Sequence, residues 1–173
     1  MDSAIFKTLD DILSKTNIKD VTSETTSFSE LKDGYYLCEV VGAELKESSK
    51  GDPMAAFRFK ISEDGLAVDE DGNFVSLTGS KGRNIFINYV LKDETSIRRF
   101  VADMLKFEGD NEGEPILEKE YFLSSETIND ALDILVGLCI YVQVSTSEKP
   151  DGTKSTWQNL ISWKRAAALE LPM

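Results

Sequence analysis

Apolar and polar residues alternate with a period of two over Met54–Ser62 and Arg83–Leu91, and a long strand-like run, Tyr35–Lys46, precedes them. The pattern then changes to helical spacing over 93–107 and again over Ser125–Leu135. It returns to strand-like runs over Leu138–Ser145 and Lys154–Trp163. A period of two sends successive side chains to opposite faces of a sheet, whereas helical spacing gathers them on one face of a helix. The chain therefore reads as three strands, a helical insertion and a closing hairpin. The first strand is long and carries Gly42 in its middle, where an interior glycine signals a bulge or a sharp coil. Lys149-Pro150-Asp151-Gly152 is a turn signal between the last two strands. The expected fold class is mainly β with helices: a five-stranded, partly open Greek-key barrel of the OB type, with the helical insertion between strands 3 and 4. A β-sandwich with helical insertions would give a similar string of elements.

Within these runs the parity assigns faces. Ala55, Phe57, Phe59 and Ile61 alternate with Ala56, Arg58 and Lys60. Ile85, Ile87, Tyr89 and Leu91 alternate with Asn84, Phe86 and Asn88. Phe57, Phe59 and Tyr89 are assigned to the core. Ile97, Phe100, Val101, Met104 and Leu105 form one helical face, capped by Asp93 or Thr95. Ile128, Leu132 and Leu135 form another, with Ser124 or Ser125 as its cap and Gly137 as its stop. The acidic segment from Glu63 to Gly82 has room for a short hairpin around Asp71-Gly72. Before the strands, residues 3–15 place Ile5, Phe6, Leu9, Ile12 and Leu13 at helical spacing, and the Ser/Thr-rich stretch Thr22–Ser27 reads as a linker. The expected domains are an N-terminal helix and linker (1–27), a barrel domain (28–165) and a C-terminal tail (166–173) in which a short helix precedes Pro172.

Composition excludes more than it selects. The 173 residues contain no histidine, which removes the commonest general base, the His-dependent nucleophile systems and most zinc sites. The two cysteines, Cys38 and Cys139, lie in apolar strand-like runs and read as reduced core residues. No apolar run approaches the roughly 20 residues needed to span a bilayer, and no secretory signal is visible at the N-terminus. The expected location is the cytoplasm, with no membrane partner, no metal and no cofactor. Asp69-Glu70-Asp71-Gly72-Asn73 lacks the spacing of a calcium loop, and Gly79-Ser80-Lys81-Gly82 lacks the frame of a phosphate loop. The first reads as a solvated acidic loop, and the second precedes a strand rather than a helix.

The net charge of −12 opposes bulk attraction to nucleic acid. The distribution matters more than the sum. Ser80–Lys92 contains Lys81, Arg83 and Lys92 and no acidic residue. Lys46–Lys60 carries Lys46, Lys50, Arg58 and Lys60 against Glu47 and Asp52. The acid is concentrated at 63–71 and 108–120. OB barrels bind oligonucleotides on strands 2 and 3 and on the loops that follow strands 1 and 4. The basic concentrations fall on those elements. Single-strand binding needs a basic track for phosphates and aromatic faces on which bases stack. The candidate nucleic-acid-binding residues are therefore Lys46, Lys50, Arg58, Lys60, Lys81, Arg83, Asn84, Phe86, Asn88, Tyr141, Lys154 and Trp157. Two readings stand for each. Phe86 stacks a base or packs under the helix or the acidic loop. Tyr141 alternates with Ile140 and Val142 and should face outward. Trp157 stacks a base or, sharing parity with Trp163 and Ile161, packs into a core. The basic residues line a groove or form ordinary solvated surface.

A family resemblance adds to this. Gly34-Tyr35 and Ala43–Met54, including Lys50-Gly51-Asp52-Pro53-Met54, continue into Phe57-Arg58-Phe59-Lys60-Ile61. With Gly82-Arg83-Asn84-Ile85-Phe86-Ile87-Asn88-Tyr89, Leu135-Val136-Gly137 and Trp157-Gln158-Asn159-Leu160-Ile161, this run resembles a phage- and prophage-encoded family found beside replication and recombination genes. Its members are similar to OB-fold single-stranded-DNA-binding proteins. The resemblance spans about residues 28–165. It implies non-sequence-specific binding of single-stranded DNA in a bacterial host cell, with phage recombinase or replication proteins as partners. The chain departs from many single-strand binders in its C-terminus, Ala166–Met173, which is barely acidic. Residues 3–15 are a candidate for homo-oligomer formation. The alternative is an acidic protein-interaction module, an inhibitor or adaptor of a host or phage protein. An enzyme using carboxylate-bound metal ranks last, because no paired carboxylate motif occurs on adjacent strands.

Overall fold

The computed structural model describes residues 3–15, 31–109 and 114–172. The chain divides into two units, Met1–Glu30 and Leu31–Met173. In the first, the described part is helix α1 (Ser3–Lys15), along which Leu9, Ile12 and Leu13 are exposed. The linker expected at 22–27 lies outside the described residues.

The second unit is mainly antiparallel β-sheet with helices. Its elements are β1 (Gly34–Glu47), β2 (Pro53–Ile61), β3 (Gly65–Val68), β4 (Phe74–Leu77), β5 (Asn84–Val90), α2 (Glu94–Met104), a 3-10 turn (Lys119–Phe122), α3 (Ser125–Leu135), β6 (Cys139–Glu148), β7 (Lys154–Ile161) and α4 (Trp163–Ala168). The long first strand organises the rest. Its second half pairs with β2 from Cys38↔Ile61 to Glu47↔Pro53, and its first half pairs with β6 from Gly34↔Val144 to Glu39↔Cys139. The register shifts between Val40 and Gly42, the bulge that the interior glycine signalled. β5 adds to β2, and β7 adds to β6. Among the described residues β5 pairs with β2 alone and β7 with β6 alone, so the sheet is not closed into a barrel. The expected short hairpin is present as β3–β4 and joins β1 at Tyr35↔Leu66.

The main core lies on one face of this sheet. Tyr36, Cys38 and Val40 of β1 meet Phe57, Phe59 and Ile61 of β2, Ile85 of β5, and Ile140 and Val142 of β6. Phe100 and Met104 of α2 and Ala131, Leu132 and Leu135 of α3 cover it. Both helices begin with reciprocal capping boxes. Asp93 accepts from the Ser96 N–H, Ser124 accepts from the Thr127 N–H, and each N-cap N–H donates to the partner hydroxyl. Phe57 stacks on Phe59, Tyr89 meets Phe57 edge-on, and Phe100 follows Tyr89. The Tyr89 hydroxyl donates to Asp103 Oδ2 at 2.8 Å, which satisfies the polar end of a buried ring.

A second, smaller core lies on the other face of β1 and β6. It contains Tyr141, Ile161, Ala166 and Leu171, with Tyr35, Leu37, Leu66, Trp163 and Leu169 packed against it. Residues 166–173, read from the sequence as a tail, thus contribute two of its buried side chains. Cys139 differs from expectation. It is exposed, because it sits opposite Glu39 with outward parity, whereas Cys38 is buried.

Candidate nucleic-acid interface

Three strands form an open face with a common register. Gly42, Arg58 and Phe86 stand side by side across β1, β2 and β5. Glu44, Ala56 and Asn88 form the next row, and Lys60 pairs with Asn84 on the other side. Side chains in such rows are nearest neighbours across strands. Arg58, Lys60, Asn84, Phe86 and Asn88 are all exposed. Phe86 is 63% exposed, so its ring is covered by neither the helix nor the acidic segment. The acidic segment has folded into its own hairpin, which joins β1 at Tyr35.

A groove of about 620 Å³ runs over this face, lined by Gly42, Ala43, Glu44, Lys46, Ala56, Phe57, Arg58, Phe86, Asn88 and Val136. Gly42 contributes no side chain, so the backbone beside Arg58 is bare. Lys46 is 4.0 Å from Glu44, a solvent-exposed pair that contributes little. Arg58 and Lys60 form no ion pair among the described residues.

A second cavity of about 220 Å³ adjoins the first and shares Phe86 and Asn88 with it. It occupies the seam between the unpaired edges of β5 and β7, and Thr156, Trp157 and Gln158 of β7 and Ser96, Arg99 and Asp103 of α2 complete its wall. Trp157 is 51% exposed, and its indole N–H donates to Ser147 Oγ at 3.2 Å. Asp103 is engaged on both oxygens, by Tyr89 and by Lys106 Nζ at 2.9 Å. Burial first, then the neighbouring Asp103 charge, push the Tyr89 phenol well above its ordinary range. It stays a neutral donor.

The remaining candidates lie around or away from these grooves. Lys50 is exposed in the turn joining β1 and β2, where Gly51 N–H donates to Ser48 O at 2.9 Å. Arg83 is half-buried, and its carbonyl accepts from the Ile61 N–H, extending the β2–β5 pairing beyond Asn84. Lys81 is exposed beside it, with its backbone N–H held by Asp64 Oδ1 at 2.8 Å. Lys154 is exposed at the start of β7, opposite Glu148. Tyr141 does point away from the main core, as its parity required, but it lines neither groove. It is 3% exposed because the C-terminal segment covers it, and its hydroxyl donates to Pro172 O. Trp157 lies outside both cores, whereas Trp163 packs edge-on against Tyr141 at 6.0 Å.

Arg99 and Gln158 were missed by the reading of the sequence. Arg99 looks like an ordinary polar position of an amphipathic helix, and Gln158 like a polar residue in the last strand. Both reach the cavity because β5 and β7 stay apart, a long-range property with no local signal. Among the described residues no cluster of His, Cys, Asp and Glu is arranged to hold a metal ion. No helix is long and apolar enough to cross a membrane. In comparison with known proteins, no family model matches the chain, and no curated protein matches it.

Proposed function

We propose that the second unit is a single-stranded-DNA-binding domain of the OB type, acting without sequence specificity in phage or prophage replication or recombination. The in-register row Gly42–Arg58–Phe86 carries the reading. It sets a cation without an ion pair among the described residues next to an exposed aromatic ring on an open groove. A single strand needs that combination: a charge for its phosphates and a π-face for an unstacked base. The pairing order β5-β2-β1-β6-β7, with one long strand shared by both halves and helices between β5 and β6, supports the OB assignment. The acidic remainder of the chain disfavours nucleic acid elsewhere on the surface.

Tryptophan fluorescence tests the site directly. Titration with an unlabelled single strand of mixed sequence should quench the emission of Trp157, which lines the cavity adjoining the groove, and Trp157→Phe should remove most of the quench while Trp163 remains. An unchanged spectrum together with an unchanged anisotropy of the same strand carrying a label would overturn the proposal.

A second reading rests on α1. Its exposed Leu9, Ile12 and Leu13 suit a protein partner, such as a recombinase, a replication protein or a second copy of the chain. Deleting residues 1–27 should then abolish the partner's binding without changing affinity for oligo-dT.

A further inference from the structure

We infer that the seam between β5 and β7 is a pocket for one purine base turned out of the bound strand. This rests on the single-strand reading of the adjoining groove and adds a base preference at one position. Three observations carry it. First, the pocket opens from the groove itself, because Phe86 and Asn88 line both, so a strand lying over Arg58 passes its mouth. Second, its volume of about 220 Å³ is small beside the 620 Å³ of the groove. It suits a single flat ring system rather than a length of chain. Third, its lining combines two exposed aromatic rings, Phe86 and Trp157, with hydrogen-bonding groups of the kinds that read purine edges.

Those groups are Arg99, Asn88 and Gln158. An arginine fork pairs with the two acceptors of guanine, and an asparagine or glutamine amide pairs with the acceptor and donor of adenine. Arg99 forms no ion pair among the described residues, so its donors are not committed to a carboxylate there. Asp103 already accepts from Tyr89 on one oxygen and pairs with Lys106 on the other. Arg99 therefore supplies the pocket's charged donors without an ion pair among the described residues, together with two amides that can turn either way. Guanine, with two acceptors on one edge, is the better fit, and adenine follows. Pyrimidines present a smaller ring and fewer acceptors on that edge.

The test compares short labelled oligo-dT with the same oligonucleotide carrying one central guanine. The guanine should tighten binding about tenfold, within the range of a bidentate base contact. Arg99→Lys keeps the charge but loses the fork, and should bring the ratio of the two affinities close to one. Asn88→Ala should shrink the ratio by an independent route. Equal affinity of the unmodified protein for both oligonucleotides would overturn the pocket and leave the groove standing. A guanine preference that survives both substitutions would overturn its location in the seam. Failure to bind either oligonucleotide would overturn the groove reading and the pocket with it.

Discussion

Replacing Phe86 by Ala removes an exposed ring from the groove and leaves the core untouched. A stacked base contributes about 1–3 kcal/mol, so affinity for oligo-dT should fall by about 5- to 150-fold. The melting temperature should hardly move, because surface substitutions away from special features stay within about 0.5 kcal/mol. Anisotropy and a thermal melt on the same sample separate the two effects. Tyr36 gives the opposite case. It is fully buried, and burial, partly offset by the Arg83 charge, pushes its phenol up to about 12 from an ordinary value of 10. The phenol ionises earlier in the unfolded chain than in the folded one. Its contribution to stability is therefore complete below pH 10 and is lost as pH rises toward 12. The buried Cys38 thiol, also raised to about 12, and Tyr89 act in the same direction. Denaturant midpoints should fall steadily on the alkaline side, and Tyr36→Phe should blunt the fall. A midpoint independent of pH up to 12 would contradict the burial of these groups.

Close approach is decided at the scale of elements. A Cβ on Gly65 would stand 2.3 Å from Tyr36 Cε1, so β3 lies against the Tyr36 ring of β1 only because Gly65 has no side chain. Ser80 Oγ accepts from the Gly65 N–H at 2.7 Å and donates to Leu77 O, which ties the β3–β4 hairpin at this point. Gly65→Ala should cost about 1–3 kcal/mol of overpacking, and each kcal/mol lowers the melting temperature by about 2–4 °C in a chain of this size. Wild-type stability in this variant would mean that β3 does not pack on Tyr36.

Much of this element plan was legible in the sequence because it is local. The period of two gave β2 and β5 and the outward parity of Arg58, Lys60, Asn84, Phe86 and Asn88, and strand-like runs bounded by turn signals gave β1, β6 and β7. The helical periods and capping residues gave α2 and α3. What the sequence did not reveal is what covers an outward side chain. Phe86 and Tyr141 have the same parity signal, yet Phe86 is open and Tyr141 is buried under α4 and Leu171. The difference lies in where distant segments return, as the Tyr141–Pro172 contact shows. Arg99 and Gln158 stayed invisible for the same reason, since the seam they line exists only once β5 and β7 are positioned without pairing.

At the scale of the whole molecule, the proposed single-strand binding sets a polyanion against a net charge of −12. That combination requires the attraction to be confined to a few cations. Affinity should fall with added salt, with a slope of about 0.7 per phosphate neutralised on a single strand. Arg58→Ala with Lys60→Ala should then lower that slope by about 1.4. Charge removal at Lys106, which is paired with Asp103, should leave the slope unchanged.

Single-strand binding is tested most sharply by fluorescence anisotropy of labelled oligo-dT against a matched duplex at two salt concentrations. A groove with exposed stacking rings predicts salt-sensitive binding that strongly prefers the single strand. Equal binding of the duplex, or no binding of oligo-dT at low salt, would contradict it.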